Sequence, residues 1–115
     1  MITVENDRNI RDFNTFGLDV KCSRFVQYDS EGELRLLISD ALKRPILHIG
    51  RGSNLLFTKD FDGTILHSAI SFINIVSESE EACVVEIGAG VLFDDFCDWA
   101  SSKGLWGVEN LSFIP

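Results

Sequence analysis

Between Cys22 and Ile49 the hydrophobic pattern changes period twice, and this succession restricts the fold more than any other stretch of the chain. Cys22 to Tyr28 reads Cys-Ser-Arg-Phe-Val-Gln-Tyr, rich in strand formers and closed by Asp29-Ser30, so a strand is predicted there. Ser30 with Glu33 three positions later has the spacing of a capping box. Leu34, Leu37, Ile38, Ala41 and Leu42 then recur at i, i+3, i+4, i+7 and i+8, the spacing of one helical face. The helix is expected to end near Lys43-Arg44, where basic side chains suit the negative end of the helix dipole and Pro45 cannot continue the ladder. Ile46-Leu47-His48-Ile49, held between Pro45 and Gly50, is predicted as a strand buried on both faces. Strand, helix, strand in this order implies a parallel βαβ unit with a right-handed crossover.

The flanking segments are less patterned. Residues 1 to about 20 show no clear periodicity and read as an ordered lead-in, in which Asn14-Thr15-Phe16-Gly17 places an aromatic ring between turn formers. Leu55-Leu56-Phe57 and Thr64 to Ser68 have extended character and are separated by Asp62-Gly63, a turn pair. Phe72 to Ser77 and Ala82 to Ile87 read as a hairpin joined by the acidic stretch Glu78-Ser79-Glu80-Glu81. Gly88-Ala89-Gly90 leads into a second helix, Leu92 to Lys103, whose Leu92, Phe93, Phe96, Trp99 and Ala100 share a face and which Gly104 terminates. The expected class is α+β: a small βαβ subdomain over about 20–63, then part of an antiparallel α+β subdomain over about 64–115.

Composition narrows the partners. The 115 residues are 45% hydrophobic and 24% charged, an ordinary globular balance. The net charge of −8 repels phosphate backbones and anionic lipid head groups, so neither nucleic acid nor a membrane surface is an expected partner. Cys22, Cys83 and Cys97 are odd in number and lack metal-type spacing, which argues against a disulfide framework and a zinc site. With no apolar leader and no run of membrane-spanning length, a cytoplasmic location is the expectation.

Gly50-Arg51-Gly52-Ser53-Asn54, directly after the second strand, departs most from what packing alone selects. Two glycines around one residue allow positive φ and close approach to the backbone. Successive N–H groups in such a turn form an anion-binding concavity, with the Ser53 hydroxyl and the Asn54 amide as further donors. A pyrophosphate held by several charge-assisted hydrogen bonds, each worth about 1.5–3 kcal/mol, would be retained against the acidic background. A ligand-free strand-to-strand turn fits the same residues. A dinucleotide fingerprint needs a third glycine and a following helix, but position 55 is Leu and the next residues are extended. A P-loop needs Gly-Lys-Ser/Thr, which does not occur. Gly88-Ala89-Gly90 precedes a helix, but with Phe93 in the third-glycine place it reads as a turn approached by other backbone.

Four segments in order carry a more specific resemblance: Asn14-Thr15-Phe16; Ile46 through Phe57; Gly88-Ala89-Gly90; and Gly104-Leu105-Trp106-Gly107-Val108-Glu109-Asn110-Leu111-Ser112-Phe113-Ile114-Pro115. Together the chain resembles the start of the UDP-N-acetylenolpyruvoylglucosamine reductase family, within the vanillyl-alcohol-oxidase type of FAD-binding fold. The resemblance implies that Gly50, Arg51, Gly52, Ser53, Asn54 and Leu55 contact the FAD pyrophosphate and that Ile114 and Pro115 lie against the flavin. It implies NADPH as reductant, a nucleotide-sugar enolpyruvate as substrate, and a place in peptidoglycan precursor synthesis. The family's serine, arginine and glutamate match nothing in this sequence, so no catalytic residue is assigned and the chain alone is expected to be inactive. The resemblance leaves two alternatives: another oxidase of the same flavin fold, or a non-catalytic nucleotide-binding module. Some such oxidases tie FAD through a histidine near this loop; none lies between His48 and His67, which favours non-covalent FAD. An interrupted sheet leaves unpaired edges, so self-association is also expected.

The other reactive side chains read as structural. His48 and His67 sit within strands with no metal or triad partner at a recognisable spacing, and Glu109 is a lone carboxylate suited to binding loop amides. Asp94, Asp95 and Asp98 belong to the start and exposed side of a helix, Trp99 and Trp106 to packing, and Ser101 and Ser102 lack a base.

Overall fold

The computed structural model describes residues 1–39 and 42–111. Six strands and two α-helices run in the order β1 (Thr3–Asn9), β2 (Lys21–Tyr28), α1 (Glu31–Ser39), β3 (Ile46–Ile49), β4 (Phe61–Ser68), β5 (Ile73–Glu78), β6 (Cys83–Ile87) and α2 (Phe93–Ser102), with single 3-10 turns at Arg11–Phe13 and Glu109–Leu111. The fold is α+β as expected: a four-stranded sheet ordered β1-β2-β4-β3 and a separate two-stranded sheet of β5 and β6.

The first sheet is built around β4. Both β2 and β3 pair with it in parallel, so the helical connection between β2 and β3 passes over a strand that arrives later in sequence. This sheet extends through Ser68, past residue 63 where the first subdomain is expected to close. Asp62-Gly63, expected as a turn, lies inside β4. Thr64 N–H donates to the Pro45 carbonyl at 2.9 Å, which ties the strand's start to the entry of β3. The lead-in also differs from expectation. Residues 3–9 form β1, antiparallel to β2, with Val4 opposite Val26 and Glu5 opposite Phe25. Its sequence Thr-Val-Glu-Asn-Asp-Arg-Asn is almost wholly exposed. An edge strand held by backbone bonds leaves no apolar alternation to read.

Alternation through β2 and β4 creates two cores. Val26, Tyr28 and Leu66 face α1 and bury its Leu37, with Leu34 and Leu42 packed alongside. Phe25, Cys22, Ile65 and Ile49 face the other way, where Ile10 and partly buried Phe13, Leu55 and Phe57 cover them. At α1, Glu33 N–H donates to Ser30 Oγ at 3.2 Å, while the Glu33 carboxylate accepts from Asp29 N–H at 2.8 Å, one residue earlier than in a standard box. Ile38, counted with the apolar face, is exposed, since the buried stripe is the narrower Leu34–Leu37 line. The expected helix end does not match: Leu42 to Arg44 are not helical, and Ala41 lies outside the described residues. β3 is not buried on both faces either. It is an edge strand, with Ile46 37% exposed and His48 open to solvent, its imidazole Nε2 held by the Tyr28 hydroxyl at 2.5 Å.

The hairpin agrees with the sequence reading. β5 and β6 pair antiparallel with a bulge at Val76, and Ser79 organises the turn by accepting from the N–H groups of Glu81 and Ala82. α2 buries Phe96 and Ala100 and closes with Leu105 N–H on the Ala100 carbonyl at 2.8 Å and Gly104 N–H on that of Ser101 at 3.0 Å, a Schellman arrangement. Trp99 stacks on Phe96, but Trp106, expected in packing, is 88% exposed.

Candidate functional site

Parallel strands deliver their loops to one edge of a sheet, and ligands in such folds gather outside the carboxyl ends of the strands. Here that edge carries the 50–60 loop after β3 and the 69–72 segment after β4. Beside the 50–60 loop opens a cleft of about 580 Å³. It is lined by Gly50, Arg51 and Ser53 of that loop, by His67 and Ser68 at the end of β4, by Ile87 through Asp94, and by Asp12, Phe13 and Thr15.

The two glycine-rich segments thus face the same space but differ in kind. The 88–90 turn uses its donors inward: Gly88 N–H goes to the Phe72 carbonyl at 2.9 Å, Gly90 N–H to Ile70 at 2.8 Å, and Val91 N–H back to Gly88 at 3.0 Å. A Cβ on Gly88 or Gly90 would stand 2.4 Å from the Ile70 carbonyl oxygen or 2.7 Å from the Ala69 carbonyl carbon. These glycines let two backbone segments meet, as the sequence suggested, and the turn is no anion nest. In the 50–54 loop, by contrast, the N–H groups of Gly50, Arg51, Gly52 and Asn54 have no protein acceptor among the described residues. Unpaired backbone donors are rare where chain is covered, and Gly52 is buried. An anionic oxygen is the partner such donors fit.

Gly52 has a structural reason of its own. Its φ is +72°, and an added Cβ would lie 1.8 Å from the Phe13 carbonyl oxygen. The Gly52 carbonyl accepts from Thr15 N–H at 3.2 Å and from Thr15 Oγ1 at 3.4 Å. Asn14, 4% exposed, braces that contact. Its amide Nδ2 donates to the carbonyls of Ile10 and Leu18 at 2.9 and 3.2 Å, and its Oδ1 accepts from Leu18 N–H at 2.8 Å. Asn14-Thr15 and Gly50-Asn54, separate motifs in sequence, are therefore one construction: the first clamps the back of the second.

Of the loop residues singled out from sequence, Gly50, Arg51 and Ser53 line the cleft. Gly52 lies behind it, Asn54 is exposed away from it, and Leu55 packs into the core beneath. Ile114 and Pro115 lie outside the described residues. His67, which the sequence reads as a structural strand residue without a metal or triad partner, lines the cleft. The signal available was its position at the carboxyl end of a central parallel strand. Its Nδ1 sits 3.1 Å from Gln27 Oε1, its ring is edge-on to Phe13 at 5.0 Å, and burial, with Arg8 and then His48 contributing, holds its pKa below the usual histidine value. Asp12 and Asp94 also reach the cleft, for which sequence offered no signal, and Arg51 is the one arginine or lysine among its lining residues. Glu109 lies elsewhere: it accepts from Gly107 N–H at 2.6 Å, and such backbone donors hold its carboxyl below the usual range, the amide-binding role expected of it. All three cysteines are free thiols, and no group of three or more His, Cys, Asp or Glu among the described residues is placed to hold a metal.

Comparison with known proteins agrees with this geometry. A UDP-N-acetylenolpyruvoylglucosamine reductase of Bacteroides fragilis is 50% identical over 113 residues, covering 97% of this chain and 34% of that protein. The protein of that name in Pseudomonas putida is 40% identical over 109 residues, 93% of this chain and 32% of its own length. The chain thus spans about a third of the length of the curated relatives it matches. The crystal structure of the reductase from Thermus caldophilus superposes on the whole chain with a TM-score of 0.73 at 23% identity, covering 39% of that structure, and so shares its fold. The family model described as FAD binding domain matches residues 22–115, from β2 through the cleft to the last residue, and the chain belongs to that FAD binding domain family.

Proposed function

We propose that the chain is the FAD-binding portion of an NADPH-dependent oxidoreductase that reduces UDP-N-acetylenolpyruvoylglucosamine to UDP-N-acetylmuramate in peptidoglycan precursor synthesis. The observation that carries the reading is that the N–H groups of Gly50, Arg51, Gly52 and Asn54 have no protein acceptor among the described residues, in a loop beside a cleft large enough for a nucleotide and in a chain of the FAD binding domain family. When bound, FAD supplies the two-electron hydride chemistry that no side chain can.

The residues of this chain hold and orient. The loop N–H groups and the Arg51 guanidinium hold the pyrophosphate non-covalently, which offsets the net charge of −8 locally. Thr15 fixes the Gly52 peptide, so the donors are set before the ligand arrives and less ordering entropy is lost on binding. Ile87, Val91, Leu92 and Phe93 give the cleft an apolar surface suited to a planar ring. None of these groups holds or moves a proton at a reacting carbon, so the proton donor belongs to other parts of the full protein, and the location proposed for the protein is the cytoplasm.

Titration of the chain with FAD, followed by flavin fluorescence, tests the binding claim. Saturable quenching that weakens about tenfold in Arg51→Ala, a loss appropriate to one charged hydrogen bond, supports it. No saturable binding, or binding unchanged by Arg51→Ala, counts against it. NADPH-dependent reduction of the enolpyruvyl substrate by the full gene product tests the wider activity; its absence would leave the FAD site standing and overturn the assignment of reaction.

A further inference from the structure

The cleft offers hydrogen-bond acceptors as well as donors. Besides the 50–54 loop, the cleft is lined by the Asp12 carboxylate and the imidazole of His67, both acceptors. Gln27 Oε1 can only accept, so its contact with His67 Nδ1 places the proton of the neutral ring on Nδ1. Nε2 then carries a lone pair, and no other hydrogen-bond partner of the ring occurs among the described residues. Phe13, edge-on at 5.0 Å, and Phe25, stacked at 6.0 Å, hold the ring plane against rotation. The burial that disfavours imidazolium keeps this acceptor in place at neutral pH.

A neutral nitrogen acceptor repels a phosphate oxygen and attracts a hydroxyl or amine hydrogen. Resting on the proposed FAD site, we infer that His67 is a specificity-determining residue of the cleft: its Nε2 accepts a hydrogen bond from a hydroxyl on the sugar or sugar-alcohol part of the dinucleotide adjoining the pyrophosphate. A cleft that joins anion-binding donors to a hydroxyl acceptor selects a diphosphate flanked by polyols over a bare diphosphate. His67 is therefore what separates a dinucleotide from an inorganic anion here.

The test compares FAD with inorganic pyrophosphate as probes on the same chain. In His67→Phe, which keeps a ring between Phe13 and Phe25, FAD affinity falls about fivefold, the value of one neutral hydrogen bond, while pyrophosphate affinity stays within about twofold of the parent. A second readout needs no substitution: two-bond proton–nitrogen correlation spectra of the imidazole show the Nδ1–H tautomer in the free chain and an upfield shift of Nε2 when FAD, but not pyrophosphate, is added. Equal losses for both probes would mean that His67 only shapes the loop, and would overturn the inference. Unchanged FAD affinity with an unmoved Nε2 overturns it as well. Failure of the unsubstituted chain to bind either probe overturns the FAD reading itself, and this inference falls with it.

Discussion

Replacing Gly52 by alanine probes the join between the lead-in and the glycine loop, and its cost can be worked from two geometric facts. At φ +72° an L side chain costs roughly 1–2 kcal/mol. The new Cβ would also lie 1.8 Å from the Phe13 carbonyl oxygen, 2.7 Å from its carbon and 2.9 Å from the Asn14 Cα. Cβ atoms essentially never come within 3.0 Å of such neighbours, and these are backbone atoms, so one segment must retreat by more than 1 Å. Overpacking of that kind adds about 1–3 kcal/mol, and the retreat stretches the Thr15 to Gly52 hydrogen bonds. The total is about 2–5 kcal/mol, a large part of a typical domain stability of about 5–15 kcal/mol. At roughly 4 °C per kcal/mol for a chain of this size, Tm should fall by about 8–20 °C in thermal unfolding followed by circular dichroism. Gly17→Ala is the control: Gly17 has φ +64° but nothing within 4 Å of its Cβ position, so it carries the dihedral cost alone. Equal Tm losses in the two variants would refute the claimed contact between residue 52 and the Phe13–Asn14 backbone.

Asn14→Ala removes three hydrogen bonds from a nearly buried side chain and strands the backbone groups they satisfied, so urea unfolding should show a loss of about 2–4 kcal/mol. His67 has a lowered pKa in the folded chain, so the unfolded chain binds more protons as pH falls through about 6.5, and stability present above that pH is progressively lost below it. In His67→Phe this component of the pH dependence should vanish from unfolding curves collected between pH 8 and pH 5; an unaltered slope would contradict the burial argument. Val76 and Val84 are exposed on a two-stranded sheet with unpaired edges, so light scattering should show a mass that rises with concentration, and a constant monomer mass would count against self-association.

What could be read from sequence followed from local chemistry. The period change from β2 to α1, the Ser30–Glu33 cap, the acidic hairpin turn and the terminus of α2 each announce themselves within a few residues. Long-range arrangement did not. β1 carries no apolar alternation because it is an edge held by backbone bonds, and β4 hides Asp62-Gly63 inside a strand because its pairing with Pro45 and β3 overrides turn propensity. The same division holds at the site. Glycine spacing marked the 50–54 loop. That Gly52 answers to Phe13, and that His67 rather than Asn54 meets the cleft, depends on which strand lies in the middle of the sheet. Trp106 shows the opposite error: a large aromatic suggests packing, but exposure is decided by what stands next to it.

The central claim is that the backbone N–H groups of the 50–54 loop bind the diphosphate of FAD. Proton–nitrogen amide spectra of the labelled chain, recorded through an FAD titration, report on those groups one by one. The account predicts saturable shifts within the 50–54 loop, largest at Gly50, Arg51 and Ser53, which line the cleft, with the already bonded amides of Gly88 and Gly90 moving much less. Shifts centred on residues 88–90 with the 50–54 amides unmoved, or no saturable shifts at all, would contradict it.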